Sequence, residues 1–179
     1  MSNGTTPSAA TELARVIDEI TRSGKAIGEE EWIKIAQQLA KVFSVKQDEV
    51  AILQLTDNAS LLRFLYPFKL QKIGSIPMTT TNSLAVRTVR DKRPEMINNF
   101  PAQKHPTVFE AVTLDPAAQE KQPIQKIMSA PLLVDGKPIG VVQISRKGKS
   151  PTTVGNDFTI RDLTTLITTA GLLAKCFKK

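Results

Sequence analysis

A run of hydrogen-bonding side chains lies directly before a stretch in which apolar residues recur at helical spacing. The run consists of Thr79, Thr80, Thr81, Asn82 and Ser83. The apolar stretch from Leu84 to Val89 predicts a short helix that must end before Pro94. The first turn of a helix presents N–H groups that lack intrahelical partners, and such groups can hold a carboxylate or a phosphate. The run therefore predicts a ligand-binding group, with ordinary helix capping by one or two of these residues as the alternative.

Few other residues suggest chemistry. The chain has one cysteine, Cys176, and one histidine, His105. A single thiol cannot form an intramolecular disulfide or build a zinc or iron–sulfur site. Redox catalysis by a cysteine normally needs a second, resolving thiol to regenerate the first, and the chain has none. A lone histidine in a proline-rich segment is typical of the surface, and a haem ligand is the alternative. Because the sequence also lacks a glycine-rich phosphate loop and a serine with a histidine base in recognisable context, we expect that the protein is not an enzyme.

Composition and charge indicate one domain. The 179 residues are 41% hydrophobic, and no apolar run approaches the roughly 18 residues that would span a membrane.

Residues 1–10 have neither a basic start nor an apolar centre, so we expect a flexible tail and a cytoplasmic protein without a membrane partner. The net charge is +7, but the basic residues are spread along the chain and only 5% of residues are aromatic. We interpret the charge as solvated surface and do not expect nucleic acid as a partner.

Three stretches have the spacing of amphipathic helices. The first covers 11–22, and glycines interrupt the pattern before a second helix begins at Glu29 and continues to Phe43. The third follows Thr159-Ile-Arg-Asp162, which has the form of a capping box with a hydroxyl and an acid three residues apart. The predicted organisation is a tail over 1–10, a helix and connector over 11–28, and a domain over 29–179.

The strands are predicted around two turns. Glu49 to Leu55 and Leu61 to Leu70 flank a cluster of turn residues, and Pro67 is expected to end the second strand or to confine it to a sheet edge. A short strand follows over 95–98. The strongest signal is an apolar hairpin from Ile127 to Ser145 that turns at Asp135-Gly136. Its near-continuous apolarity indicates central strands covered on both faces, and Pro131 predicts a bulge or an unpaired position.

The ordered set of these elements resembles the GAF family of small-molecule sensor domains. The resemblance is carried by Ser75-Ile-Pro77, Ser83 to Val89, Pro94 to Asn98, Ser129 to Leu132, Gly136, Ile139 to Val142, Phe158 and Asp162-Leu163, and it runs from about Glu29 to Phe177. It implies an α+β fold with a central antiparallel sheet of about five to six strands. The N- and C-terminal helices would pack on one face, and crossover helices and loops would cover a pocket on the other.

The resemblance also places further residues on the pocket side. Asn98, Asn99 and His105 follow the predicted helix there, and Phe109 could stack over a ligand. The segment 99–123 contains four prolines and is predicted to be a long excursion over one face of the sheet, of the kind that often forms a binding loop. Together with the run from Thr79 to Ser83, these residues are the candidate ligand-binding group. These residues do not specify a cofactor.

Relatives of the family that bind cyclic nucleotides carry an Asn-Lys pair followed by Phe-x-x-x-Asp-Glu. Here Arg146-Lys147 stands in place of the first pair, Phe158 and Asp162 match, and Leu163 replaces the final acid. We interpret Lys147 and Asp162 as a candidate structural ion pair, and a helix-cap role for Asp162 as the alternative.

The resemblance implies a sensory or regulatory domain that binds a small effector and signals to a separate protein. The alternative is a ligand-free module whose work is dimerisation or docking. The apolar faces of the first, second and last helices exceed what one side of a small sheet needs, so we expect a homodimer through the terminal helices, with intramolecular packing as the alternative.

Overall fold

The computed structural model describes residues 7–102 and 123–178. A six-stranded antiparallel sheet with the order β3-β2-β1-β6-β5-β4 forms its centre. Helices and strands follow in the order α1 (Ala9–Arg22), α2 (Glu29–Phe43), β1 (Val50–Leu55), β2 (Leu61–Tyr66), α3 (Phe68–Gln71), β3 (Ser75–Pro77), α4 (Leu84–Asp91), β4 (Glu95–Ile97), β5 (Ile124–Val134), β6 (Lys137–Lys147) and α5 (Ile160–Ala174). The predicted α+β fold is confirmed.

The hairpin of β5 and β6 occupies the middle of the sheet, as its apolarity predicts. Asp135 and Gly136 have φ angles of 51° and 76°, the left-handed conformation that a tight two-residue hairpin turn requires. β5 begins at Ile124, three residues before the predicted start. Pro131 lies within the ladder opposite Val141, and the irregularity in register falls between Leu132 and Leu133. The bulge or unpaired position predicted at Pro131 is therefore wrong for that residue.

Side chains alternate between the two faces of this hairpin. Val142 and Ile144 of β6 pack with α1, α2 and α5 in the larger core cluster. Val141 faces the other way and packs with Leu53 of β1 and with Val86 of α4 in a second cluster. The sheet is therefore covered on one face by the terminal helices, and α4 lies against its opposite face, which we call the α4 face.

The other predicted elements differ from the structure mainly at their ends. α1 begins at Ala9, and the Ser8 hydroxyl caps it by accepting a hydrogen bond from the Thr11 N–H. β2 ends at Tyr66 before Pro67, as the missing N–H of proline requires, and the short helix α3 follows. None of the described helices is both long and apolar enough to cross a membrane. The predicted domain limits at residues 10 and 28 stay a prediction.

Candidate ligand pocket

A pocket lies on the α4 face of the sheet, between β1, β2, β3, β5 and β6. It is lined by Asp48, Glu49, Val50, Ala51, Leu53, Phe64, Pro67, Leu70, Ile76, Ile124, Ile127, Gln143, Ser145 and Lys147. The cavity measures about 40 Å³ in its enclosed part and about 520 Å³ when the space open to solvent is included. Since one water needs roughly 10–15 Å³ on that measure, the enclosed part suits a small molecular group.

A chain of hydrogen bonds leads from Gln143 in the pocket lining to α4. The Gln143 amide donates to the Ser129 hydroxyl at 3.2 Å, and the hydroxyls of Ser129 and Thr88 lie 2.7 Å apart. Thr88 in turn donates to the Leu84 carbonyl in the first turn of α4 at 2.8 Å. Because Thr88 uses its only proton on Leu84, the Ser129 hydroxyl must donate to Thr88. The pocket floor is therefore linked to α4 by one directional chain.

A second polar group closes one end of the pocket. The Glu49 carboxylate accepts the N–H groups of Lys46 at 2.8 Å and of Lys147 at 2.6 Å. The Ser145 hydroxyl donates to the Glu49 carbonyl at 3.2 Å. These bonds satisfy a carboxylate that is only 8% exposed, as burial of a charge demands.

Lys147 reaches the same end with its side chain. Its ammonium donates to the Asp48 carbonyl at 2.8 Å, and burial lowers the pKa of Lys147 despite the nearby carboxylates of Asp48 and Glu49. The predicted ion pair with Asp162 is not formed. Asp162 instead accepts the Thr159 N–H at 2.8 Å in the capping box of α5, the alternative role that its sequence context indicates.

The run before α4 does not line this pocket. Thr79, Thr81 and Asn82 are exposed, and the Thr80 N–H donates to the Pro77 carbonyl. Ser83 is buried as the N-cap of α4, where its hydroxyl accepts the Val86 N–H at 3.2 Å. Among the described residues, the run thus shows capping and turn contacts, and a ligand-binding role for it stays a prediction.

Asn98 lies toward the terminal helices. Its amide donates to the Phe158 carbonyl at 3.0 Å and accepts the Phe158 N–H at 2.8 Å, and Phe158 belongs to the core cluster between sheet and helices. The side-chain N–H and the carbonyl oxygen of Asn98 therefore both bond the backbone just before α5. Asn99 is exposed. His105, Phe109 and most of the segment 99–123 lie outside the described residues.

The sequence reasoning missed Gln143, Ser145, Glu49 and the hydroxyl pair of Thr88 and Ser129. A signal for two of them was present. In a strand buried on both faces, Gln143 and Ser145 are polar residues two apart and therefore share one face. A buried polar side chain has to find a partner, so such a pair indicates a polar patch on that face. The described residues contain no group of three potential metal ligands.

Cys176 lies away from this pocket, in the turn after α5. Its thiol is half-buried, and burial raises the pKa of Cys176 to about 11. Thiolate is the nucleophilic form, so this environment slows reactions at the sulfur at neutral pH.

A pocket on one face of an antiparallel sheet and terminal helices on the other form the architecture that the resemblance implies. The GAF domain model matches residues 29–177, and the chain belongs to this family. That confirms the resemblance drawn from the sequence. No curated protein sequence matches the chain.

Solved structures share the fold at low sequence identity. The GAF domain of an Acinetobacter phosphoenolpyruvate-protein phosphotransferase is 16% identical with a TM-score of 0.64, covering 98% of this chain and 93% of its own. A methyl-accepting chemotaxis protein fragment is 16% identical with a TM-score of 0.65, with coverage of 90% and 94%. The free methionine-R-sulfoxide reductase from Neisseria meningitidis, solved with its substrate, is 16% identical with a TM-score of 0.59, with coverage of 99% and 94%.

The last of these neighbours corrects the expectation that the chain is not an enzyme. The same fold carries a reductase, so the fold does not exclude catalysis. The expectation was wrong because it inferred an absence of catalytic activity from an absence of familiar catalytic motifs. Catalysis depends on the side chains that a fold brings together.

Proposed function

We propose that this GAF domain is a sensory or regulatory module that binds a small molecule in the pocket on the α4 face. The observation that carries the proposal is Gln143, a hydrogen-bonding side chain on an otherwise apolar floor formed by residues such as Leu53, Ile76 and Ile127. One N–H of its amide is used by Ser129. Its carbonyl oxygen and second N–H can bind a ligand.

The pocket supports a ligand with an apolar body and one hydrogen-bonding group. Apolar walls favour burial of the body, and a few placed polar groups fix its orientation. A ligand group at Gln143 would add to the chain that runs through Ser129 and Thr88 to α4. Binding is in this way coupled to the position of α4.

A second route leads from the pocket to the terminal helices. Lys147 lines the pocket, whereas its neighbour Arg146 lies with its guanidinium 4.7 Å from the ring centre of Phe158, next to the start of α5. Arg146 also donates to the Ser44 carbonyl at the end of α2. A shift of the end of β6 on binding would reach both helices, and we propose that a separate signalling protein in the cytoplasm reads this change.

A thermal-shift screen of nucleotides, amino acids and organic acids tests the proposal. A ligand that binds only the folded chain raises the melting temperature with concentration. We expect Gln143→Met, which is nearly isosteric, to weaken the binding of that ligand several-fold, since one hydrogen bond contributes about 1 kcal/mol. The matched control is Gln37→Met on the exposed side of α2, which should bind normally. If no compound shifts the melting temperature, or if both variants bind alike, the pocket is not the site.

The alternative function, dimerisation, is favoured by a different observation. Ile160 and Ile167 of α5 are 70% and 48% exposed and lie seven residues apart, on one face of the helix. We propose that this face joins two copies. Light scattering of wild type and Ile167→Glu should then show a dimer that the substitution dissociates. Ile73→Glu, at a residue that is also 48% exposed but outside α5, should leave it intact. A wild-type monomer at high concentration would exclude this alternative.

A further inference from the structure

A groove on the opposite side of the sheet from the pocket lies where the terminal segments meet. It has a volume of about 1180 Å³ when the space open to solvent is included, and it is lined by Ile20, Thr21, Gly24, Lys25, Ala26, Ile27, Trp32, Gln54, Leu65, Lys175, Cys176, Phe177 and Lys178. We call it the terminal groove. The end of α1, the start of α2 and the turn after α5 all contribute to it, and β1 and β2 add one residue each.

The inner part of the terminal groove is apolar. The rings of Trp32 and Phe177 stack with their centres 5.7 Å apart at 35°. Ile20, Ile27 and Leu65 are only half-buried, although each packs at the edge of the main core cluster. Apolar side chains from several elements thus meet at one concave surface, where a partner can remove them from water.

The charged side chains that line the groove are all positive. Lys25, Lys175 and Lys178 are exposed, and none of them forms an ion pair with a described residue. No lining residue among those described is acidic. Glu31 interacts with the charge of Lys25 but does not line the groove. Its carboxylate accepts the Gly28 N–H at 2.8 Å in the capping box of α2. The groove therefore combines an apolar floor with a rim of three positive charges.

We infer that the terminal groove docks an acidic, amphipathic segment of a partner protein. Apolar side chains of the segment would contact Ile20, Ile27 and Phe177, and its carboxylates would pair with the lysines. A peptide with several carboxylates matches three separate ammonium groups, whereas an amphiphile with a single anionic head satisfies only part of the rim.

This inference rests on one part of the proposed function, signalling to a separate protein, and it specifies the kind of segment that would contact the terminal helices. It does not depend on the other part, ligand binding in the pocket. Docking can be measured without any pocket ligand, and a failed ligand screen would leave it standing. Conversely, loss of docking would leave ligand binding on the α4 face unchanged.

Selection of random 16-residue peptides displayed on phage against the full chain tests the inference. We expect enriched sequences in which aspartate or glutamate residues alternate with Leu, Ile or Phe. A synthetic peptide from this set should change the emission of Trp32, the only tryptophan in the chain, and should bind less tightly as salt is raised. The triple variant Lys25→Glu, Lys175→Glu, Lys178→Glu should weaken its binding by at least about tenfold, because attraction becomes repulsion.

A second triple variant supplies the control. Lys69→Glu, Lys72→Glu and Lys137→Glu change the net charge equally at exposed positions outside the groove, and binding should change by less than about twofold. If the first triple variant fails to fold, replacement of the same three lysines by glutamine carries the comparison with a smaller expected loss of several-fold.

Four outcomes would overturn the inference. The first is that selection enriches no acidic and apolar sequences. The second is that both triple variants lose binding equally, which would indicate unspecific charge attraction. The third is self-association of the chain that the groove variant abolishes, since the occupant would then be a second copy. The fourth is binding to phosphatidylserine vesicles that depends on the same lysines while the selected peptides do not bind, which would indicate a membrane surface.

Discussion

Glu49 carries a buried carboxylate that is held by hydrogen bonds from the backbone. Its carboxylate accepts two backbone N–H groups, one from the turn before β1 and one from the end of β6, so it joins two segments that are far apart in sequence. A carboxylate can accept both bonds at once, whereas an amide offers only one acceptor oxygen. The side chain therefore holds the end of the pocket closed.

We predict that Glu49→Gln lowers the free energy of unfolding by about 1–3 kcal/mol, because one buried N–H loses its acceptor. Urea denaturation followed by circular dichroism would measure the change. Asp48→Asn is the matched control, since the Asp48 side chain is exposed and only its carbonyl accepts a bond from Lys147. A loss of equal size in both variants would show that net charge, and not the two hydrogen bonds, is responsible.

The hydroxyls of Thr88 and Ser129 form a buried contact between distant segments. They are 41 positions apart in sequence and 2.7 Å apart in space, and both are fully buried. In a double-mutant cycle, Thr88→Val and Ser129→Ala should show a coupling of about 1 kcal/mol, since each substitution alone removes the hydrogen bond between the two hydroxyls. Ser8→Ala and Thr11→Val form the control cycle, because that hydroxyl pair is 2.8 Å apart but exposed. Its coupling should be close to zero, and equal couplings in the two cycles would contradict the prediction.

At the scale of elements, Asn98 connects β4 to the start of α5. The amide imitates a backbone group by both donating to and accepting from Phe158, across 60 positions of sequence. The segment before α5 is held further by Lys126, whose ammonium lies 2.7 Å from Asp157 and 2.9 Å from the Gly155 carbonyl. These contacts set where the last helix begins relative to the sheet.

We predict that Asn98→Ala lowers the free energy of unfolding by about 1–3 kcal/mol, whereas Asn99→Ala at the exposed neighbouring position changes it by less than about 0.5 kcal/mol. Thermal and urea unfolding of both variants would measure this. The pair also separates a structural role from the ligand-binding role expected from the sequence. If Asn98→Ala keeps full stability and loses only ligand binding, the structural account is wrong.

At the scale of the whole molecule, Cys176 reports on the packing of the C-terminal turn against α1 and α2. Burial raises its pKa to about 11, so the thiolate fraction at pH 8 is small in the folded chain. Unfolding returns the pKa of this thiol toward its ordinary value of 9.0. Because a raised pKa means that burial disfavours the charged form, reactivity should increase as pH rises toward 11.

We predict that iodoacetamide modifies Cys176 roughly a hundredfold more slowly in the folded chain than in urea at pH 8, the factor that two pKa units imply. Mass spectrometry of quenched samples gives both rates. Equal rates would show that the turn after α5 is open in solution. A free cysteine-containing peptide under both conditions controls for the effect of urea on the reagent.

Much of the fold could be predicted because its signals are local. The Thr159 to Asp162 capping box, the Asp135-Gly136 turn and the stripe of Leu13 and Ile17 each depend on residues within a few positions of one another. The order of such elements along the sequence is enough to indicate the GAF family. The ends of strands were less predictable, since the partner strand decides how far pairing continues.

The sequence did not point to the polar residues of the pocket on the α4 face, and the reason is physical. Thr79 to Ser83 have the right chemistry for a ligand, but exposed threonines and a capping serine satisfy the helix start without one. Gln143, Ser129 and Thr88 carry little meaning singly, and they form one hydrogen-bonded chain only when β5, β6 and α4 come together. Asn98 comes directly after β4 and contacts Phe158, on the side of the sheet where Met96, two residues earlier, packs against the helix-side core cluster.

By itself, the sequence determined the helices, the central hairpin and the family, because these follow from spacing, turn chemistry and capping within short stretches. Only the tertiary structure decided which polar side chains meet in the pocket, where Lys147 and Asp162 find their partners, and that lysines from both ends of the chain surround one apolar groove. Those contacts join positions tens of residues apart. Their formation depends on packing of the whole chain, which local patterns do not encode.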